Sequence, residues 1–251
     1  MKLGYPNHPR KEIMEEIKWI GKHFDFIDFF MEEDKAYYDK LDLKAVKKAL
    51  EEYNLGIVGH TPYYLPFSSP IKNIRKAAIK EASNCFKAFN KLGAEYVTVH
   101  STWLPSLFNA KESFDIQKES LIMLVEEAEK YSIKLLYEVG VSELDNYKNV
   151  SKILKEVPIY FHLDIGHVFL YGKDICKFIR KLHSKLKHVH LHDNFGKDDL
   201  HLPIGIGKIK WEDVIKELKK YYNGTVTLEI FAPKEYVLLA KKKFLKMWKN
   251  L

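Results

Sequence analysis

A chain of 251 residues, 46% of them hydrophobic, can bury one large core, and no linker or low-complexity run divides it. Its 41 Lys and Arg against 34 Asp and Glu leave a formal charge of +7, but the excess is nearly all lysine set beside glutamate, the pattern of a solvated helix face. With only Arg10, Arg75 and Arg180 as arginines, an extended phosphate-reading surface is disfavoured, and the sequence holds no apolar run of membrane-spanning length.

Residues 2–5 read as a short first strand stopped by Pro6, and Pro9 to His23 as a helix with Ile13, Ile17 and Ile20 on one face. No signal-peptide pattern precedes them, so a cytoplasmic protein is expected. Phe24–Phe30 is a second strand, followed by the acidic turn Glu32, Glu33, Asp34 and a helix over Asp42–Asn54. Leu55–His60 is a third strand. Ser69 and Pro70 predict the opening of a long helix that stops at Gly93. Tyr96–His100 is the fourth strand, with a helix ending near Tyr131, and Ile133–Val139 is the fifth, with a helix over Asp145–Glu156. Ile159–Asp164 and a helix over Gly172–Lys185 come next, then Lys187–His192, a long loop over Asn194–Gly207 and a helix over Trp211–Tyr222. Thr225–Phe231 and a helix from Pro233 finish the chain. Cys85 and Cys176 fall among apolar helical neighbours and read as reduced core thiols.

Strand and helix alternating about every thirty residues predicts a single-domain (β/α)8 TIM barrel. The rival, an open doubly wound sheet, calls for a glycine-rich nucleotide loop after the first strand, and Gly4-Tyr5-Pro6-Asn7 is not one. In a barrel, chemistry belongs at the C-terminal strand ends, on inward positions. Those positions carry His60, His100, Glu138, Asp164, His190 and Glu229, from strands three to eight in order. His167 lies three residues past Asp164, and Asp199 and His201 lie in the loop that ends with Gly205 and Gly207. Imidazoles and carboxylates gathered at one mouth are what a zinc-type or manganese-type cation requires. His162 and His188 share the inward parity but lie deeper, as hydrogen-bonded core positions, while His8, His23 and His183 read as surface. Tyr63, Trp103, His192 and Lys197 are the candidate substrate contacts, and Glu138, Glu229 and His167 the candidate catalytic groups.

From His60 to Glu229 the ordered set His60-Thr-Pro-Tyr63, Val99-His100, Tyr137-Glu138, Leu163-Asp164-Ile-Gly-His167, His190-Leu-His-Asp193, Asp199-Leu-His201 and Leu228-Glu229 resembles the xylose isomerase-like barrels that include endonuclease IV. The resemblance implies up to three Zn2+: one on His60, His100 and Glu138; one on Glu138, Asp164, His190 and Glu229; and one on His167, Asp199 and His201. It implies hydrolysis of a phosphodiester, with damaged DNA as the substrate class, the cations activating water and holding the leaving oxygen. Four carboxylates against three divalent ions leave about +2, which suits such a substrate. The alternative within the same superfamily is a sugar or sugar-phosphate isomerase or epimerase. A single Mn2+, Mg2+ or Co2+ on Glu138, Asp164, His190 and Glu229 would then polarise the substrate oxygens while the two glutamates move its proton. A non-catalytic metal-binding barrel is the third reading. Against DNA, the loop after the second strand reads Met31-Glu-Glu-Asp34, with no arginine and with acids that repel a phosphate backbone, and the chain is shorter than endonucleases of this type.

Overall fold

In the computed structural model, which describes residues 1–251, eight parallel strands pair each with the next and the last with the first, closing a (β/α)8 TIM barrel. The chain runs β1 (Lys2–Pro6), α1 (Ile13–His23), β2 (Phe26–Phe30), α2 (Leu43–Glu52), β3 (Gly56–His60) and α3 (Lys72–Leu92). It continues through β4 (Tyr96–His100), α4 (Ala110–Glu129), β5 (Lys134–Glu138), α5 (Tyr147–Glu156), β6 (Tyr160–Asp164) and α6 (Ile165–Leu170). Then come α7 (Ile175–Leu182), β7 (Leu186–Leu191), α8 (Trp211–Tyr221), β8 (Thr225–Leu228) and α9 (Lys234–Asn250). No helix is long and apolar enough to cross a membrane.

Local signals account for most boundaries. Asp42, Asn146 and Asp174 cap the helices that follow them through their side chains, Asn109 and Glu112 form a reciprocal capping box, and Gly93 ends α3 with φ 88. Two expectations need correction. The long helix begins at Lys72, not at Ser69-Pro70, because the Arg75 guanidinium takes the carbonyls of Ser69 and Pro70 and holds them in a turn. The sequence also gives no warning of α6: the helix predicted over residues 172–185 is α7 alone, and a separate helix packs directly against the end of β6.

The barrel wall faces two environments. Outward residues such as Val97, Val99, Val226 and Leu228 join the helix faces in a continuous apolar core. Inside, Phe26, Val58 and Leu136 plug the N-terminal end, with Tyr96 and Tyr160 packed against them. Above this plug the interior turns polar: Asp28, Thr98, His162, His188 and Thr227 are all wholly buried. Polar groups at that depth need partners, and each forms a hydrogen bond to another of the set. The polar layer is the floor on which the strand ends stand.

Candidate metal centre

All nine expected ligands meet at the C-terminal mouth of the barrel. His60, His100, Glu138 and Asp164 end β3 to β6, His190 sits one residue inside the end of β7, and Glu229 follows β8 directly. His167 comes from α6, and Asp199 and His201 hang over the mouth from the β7–α8 loop. That loop is folded by Asp193, present in the strand-seven motif but given no role there: it accepts from the amides of Asn194, Gly205 and Ile209 and from Trp211 Nε1, at 2.8 to 3.2 Å. His201 adopts a left-handed φ of 45, a conformation uncommon outside glycine though more accessible to His than to most side chains. Its ring is held between His192 and Phe231, with centroids at 4.0 and 4.2 Å. Gly166 is needed where α6 crosses the His192 ring, since a Cβ there would lie 1.9 Å from Cε1.

Backbone contacts fix the tautomers of three imidazoles. Nδ1 of His60, His167 and His201 donates to the carbonyl of Thr61, Val139 and Glu229, at 3.1, 2.8 and 3.1 Å. A carbonyl can only accept, so in the neutral ring each Nε2 is a bare lone pair. Yet His60 Nε2 faces Glu138 Oε2 at 3.0 Å, and His167 and His201 Nε2 each face Asp199 Oδ2 at 3.1 Å. His100 Nε2 lies 3.1 Å from the same Glu138 oxygen. Lone pairs so opposed repel unless a proton or a metal cation lies beside them.

Deeper in, Asp164 spends Oδ1 on the His167 amide at 2.7 Å and on His192 Nε2 at 3.0 Å, while its buried Oδ2 has no hydrogen-bond partner. Around His190 Nδ1 stand Glu229 Oε2 at 3.1 Å and Asp164 Oδ2 and Glu138 Oε1, both at 3.6 Å. Two nitrogen or oxygen ligands on a tetrahedral zinc are about 3.3 Å apart, given bonds of about 2.0–2.1 Å. The donor set, its spacing and the orphaned Asp164 oxygen therefore fit divalent cations. His60, His100 and Glu138, and His167, Asp199 and His201, are each within metal-sharing distance of one another.

Without a cation, protons take its place. Burial opposes charge on His167, but Asp164 and Asp199 overcome it and raise the imidazole to about 10. Burial likewise opposes charge on His201, and Glu229 and Asp199 raise it to about 11. His100 goes the other way: burial brings it down to about 4 in spite of Glu138. At His190, Glu229 and Asp28 overcome burial as well and hold the imidazole well above its usual range. Since a ligating imidazole must be neutral, loading the centre at pH 7 is expected to expel about three protons, one each from His167, His190 and His201. Titration calorimetry in two buffers of different ionisation enthalpy measures this, and cation binding without proton release contradicts it.

The centre opens into a cavity of about 990 Å³ whose wall includes His60, His100, His167, Asp199, His201 and Glu229, with Glu138, Asp164 and His190 buried beneath. Of the four expected substrate contacts, Tyr63 lines the cavity. The other three expected contacts do not. His192 is buried under α6 as a donor to Asp164. Trp103 turns back to pack against the core, its loop pinned by the Leu104 amide on Ser113 Oγ. Lys197 is exposed, next to the left-handed Gly196, and does not line the cavity. Conversely, Glu32 and His8 line the cavity. His8 is exposed, as expected, and stands at the outer rim, its amide held by the buried Glu16 carboxylate.

Comparison with known proteins agrees with this geometry. Residues 14–248 match the family model of the xylose isomerase-like TIM barrel. Probable endonuclease 4 of Aquifex aeolicus is 26% identical over 237 residues, 84% of each protein. Fructoselysine 3-epimerase of Escherichia coli O157:H7 is 23% identical over 263 residues, 96% of this chain and 94% of the epimerase. A solved D-tagatose 3-epimerase-like protein superposes with a TM-score of 0.89 at 26% identity, covering 100% of this chain and 99% of its own. Other solved barrels of this fold include D-psicose 3-epimerase of Clostridium cellulolyticum H10 and the IOLI protein, which holds a zinc atom. Sugar epimerases thus outnumber the endonuclease among these relatives, which favours the alternative expectation over phosphodiester hydrolysis. With its strand-end ligands in place and the match spanning nearly its whole length, the chain belongs to the xylose isomerase-like TIM barrel family.

Proposed function

We propose that the protein is a divalent-metal-dependent isomerase or epimerase acting on a small sugar or sugar phosphate. The observation that carries this reading is the convergence of Glu138, Asp164, Glu229 and His190 Nδ1 at the floor of a cavity sized for one small molecule. A cation bound there supplies a Lewis acid for the carbonyl and hydroxyl oxygens of the substrate. Glu229, which lines the cavity, would take the proton from the carbon beside the carbonyl, and Glu138, one layer deeper, would return a proton to carbon, so that the pair together neither gains nor loses a proton. Tyr63 and Phe231 give apolar walls for the sugar carbons, and the half-buried Glu32 accepts from its hydroxyls. That same carboxylate repels a phosphodiester backbone laid across it, while Lys11 and Lys234 elsewhere on the wall leave room for the single phosphate of a sugar phosphate.

A second reading, phosphodiester hydrolysis, is favoured by one specific observation. His60, His100, His167, Asp199 and His201 complete two further ligand sets that a single-cation isomerase does not need. The two are separated by incubating metal-loaded protein in D2O with ketopentoses, ketohexoses and their phosphates, and in parallel with a chromogenic phosphodiester and an abasic-site duplex. Deuterium entering the carbon beside the carbonyl is the expected result. Absence of exchange with cleavage of either diester overturns it. His100→Ala sharpens the choice: it is expected to lower isomerase turnover by about tenfold or less, since only an outer ligand is lost, but to cost a multinuclear hydrolase about 10²–10³-fold.

A further inference from the structure

Beneath the ligands, at the inward position of β2, Asp28 is wholly buried, and its Oδ2 meets His190 Nε2 at 2.6 Å, His188 Nε2 at 3.1 Å and Thr227 Oγ1 at 3.0 Å. The donors can be assigned from their other contacts. His188 Nδ1 faces the Thr225 hydroxyl at 2.8 Å, and its Nε2 also lies 3.2 Å from Thr227 Oγ1. The neutral tautomer with its proton on Nε2 satisfies the contacts to Asp28 and Thr227, the Thr225 hydroxyl then donating to Nδ1 rather than to the more distant Lys187 carbonyl at 3.2 Å. Oδ2 is then crowded by donors and can carry no proton, while Oδ1 has no acceptor to give one to. It follows that His190 Nε2 holds a proton and donates it downward. In the neutral ring the lone pair on Nδ1 is thereby turned up toward Glu229, Asp164 and Glu138.

This inverts the arrangement at His60, His167 and His201, which spend Nδ1 on a backbone carbonyl and offer Nε2 to the centre. Those three are oriented by the main chain, whereas His190 depends on one side chain distant in sequence. We propose that Asp28 is the positioning residue of the centre: by holding the Nε2 proton of His190 it selects Nδ1 as the ligand atom. The inference rests on the cation-binding reading of the centre, though not on which reaction the centre performs. Asp28 also strengthens His190 as a donor, since a carboxylate behind an imidazole raises its basicity.

The test uses the full chain labelled with 15N-histidine and loaded with zinc, compared with Asp28→Asn and Asp28→Ala. Long-range 1H–15N correlation spectra of the wild type are expected to show one zinc-bound imidazole ligated through Nδ1 and protonated at Nε2, and His190→Gln identifies the signal by removing it. Asp28→Asn keeps the side-chain volume but can also offer a donor to Nε2. It is expected to lose or split that signal and to weaken zinc binding about 10–100-fold in competition with a chelating dye. Circular dichroism is expected to stay unchanged. Asn carries the test if Ala fails to fold. Retention of both the Nδ1 signal and wild-type affinity in Asp28→Asn overturns the proposal, as does zinc bound to His190 through Nε2 or absent from it in the wild type. These readouts do not involve turnover. A protein without isomerase activity that still shows the tautomer change upholds Asp28 and rejects the proposed reaction.

Discussion

Glu138→Gln is expected to abolish turnover, by about 10³-fold or more, with the fold intact. Glu138 is the most shared ligand atom set in the centre: Oε2 lies 3.0 and 3.1 Å from the Nε2 atoms of His60 and His100, and Oε1 lies 3.6 Å from His190 Nδ1. An amide of the same shape removes a negative charge that a cation needs and turns either a hydrogen-bearing nitrogen or a weaker oxygen toward bare imidazoles. Under the proposed reaction it also removes a proton-transfer group, itself worth about 10²–10⁴-fold. Burial works against the charge on Glu138, yet His100, His60 and His190 keep its carboxyl below the usual range, so the wild type is ionised at neutral pH and the substitution is a true loss of charge. The measurement is kcat for the deuterium exchange, with circular dichroism as the folding control. A variant retaining a tenth of the activity contradicts the role given to Glu138.

Chelation is expected to produce the second large effect, a fall in melting temperature together with complete and reversible loss of activity. If the tightest cation binds with a nanomolar dissociation constant, about 100 μM free metal stabilises the folded chain by roughly 7 kcal/mol through mass action. For a domain of this size each kcal/mol moves the midpoint by about 2–4 °C, so loaded and stripped protein should differ by about 14–28 °C. Protonated His167 and His201 offset part of the carboxylate repulsion in the stripped state, which places the shift toward the lower end of that interval. Scanning calorimetry with and without EDTA, followed by readdition of Zn2+ or Mn2+, reads the effect. Coincident melting curves contradict it.

The barrel was legible because its physics is periodic. Alternation within each strand and the recurrence of strand and helix place inward residues without any knowledge of contacts, and Thr98, Thr227 and the strand-end ligands all fall on the parity they predict. The loop ligands Asp199 and His201 could be named but not placed, because their position depends on the four donors gathered by Asp193. Trp103 and Lys197 were misassigned for the same reason: a loop side chain has no period to set its direction. Asp28 did leave a trace, as the lone carboxylate in the apolar strand Phe26-Ile-Asp-Phe-Phe30, but its partners lie 160 and 162 residues away and only closure of the barrel reveals them. Helix α6 was hidden because its cap is Asp164, a residue already accounted for as a ligand.

Nine side chains from six strand ends, one short helix and one loop are expected to hold divalent cations in common. Crystals of zinc-loaded protein, measured on both sides of the zinc absorption edge, test it most directly. The account predicts anomalous peaks about 2.0–2.3 Å from His190 Nδ1 and from Glu138, Asp164 and Glu229 oxygens, with further peaks between His60 and His100 and between His167 and His201 at full occupancy. A map with no peak within bonding distance of Glu138, His190 and Glu229 contradicts it.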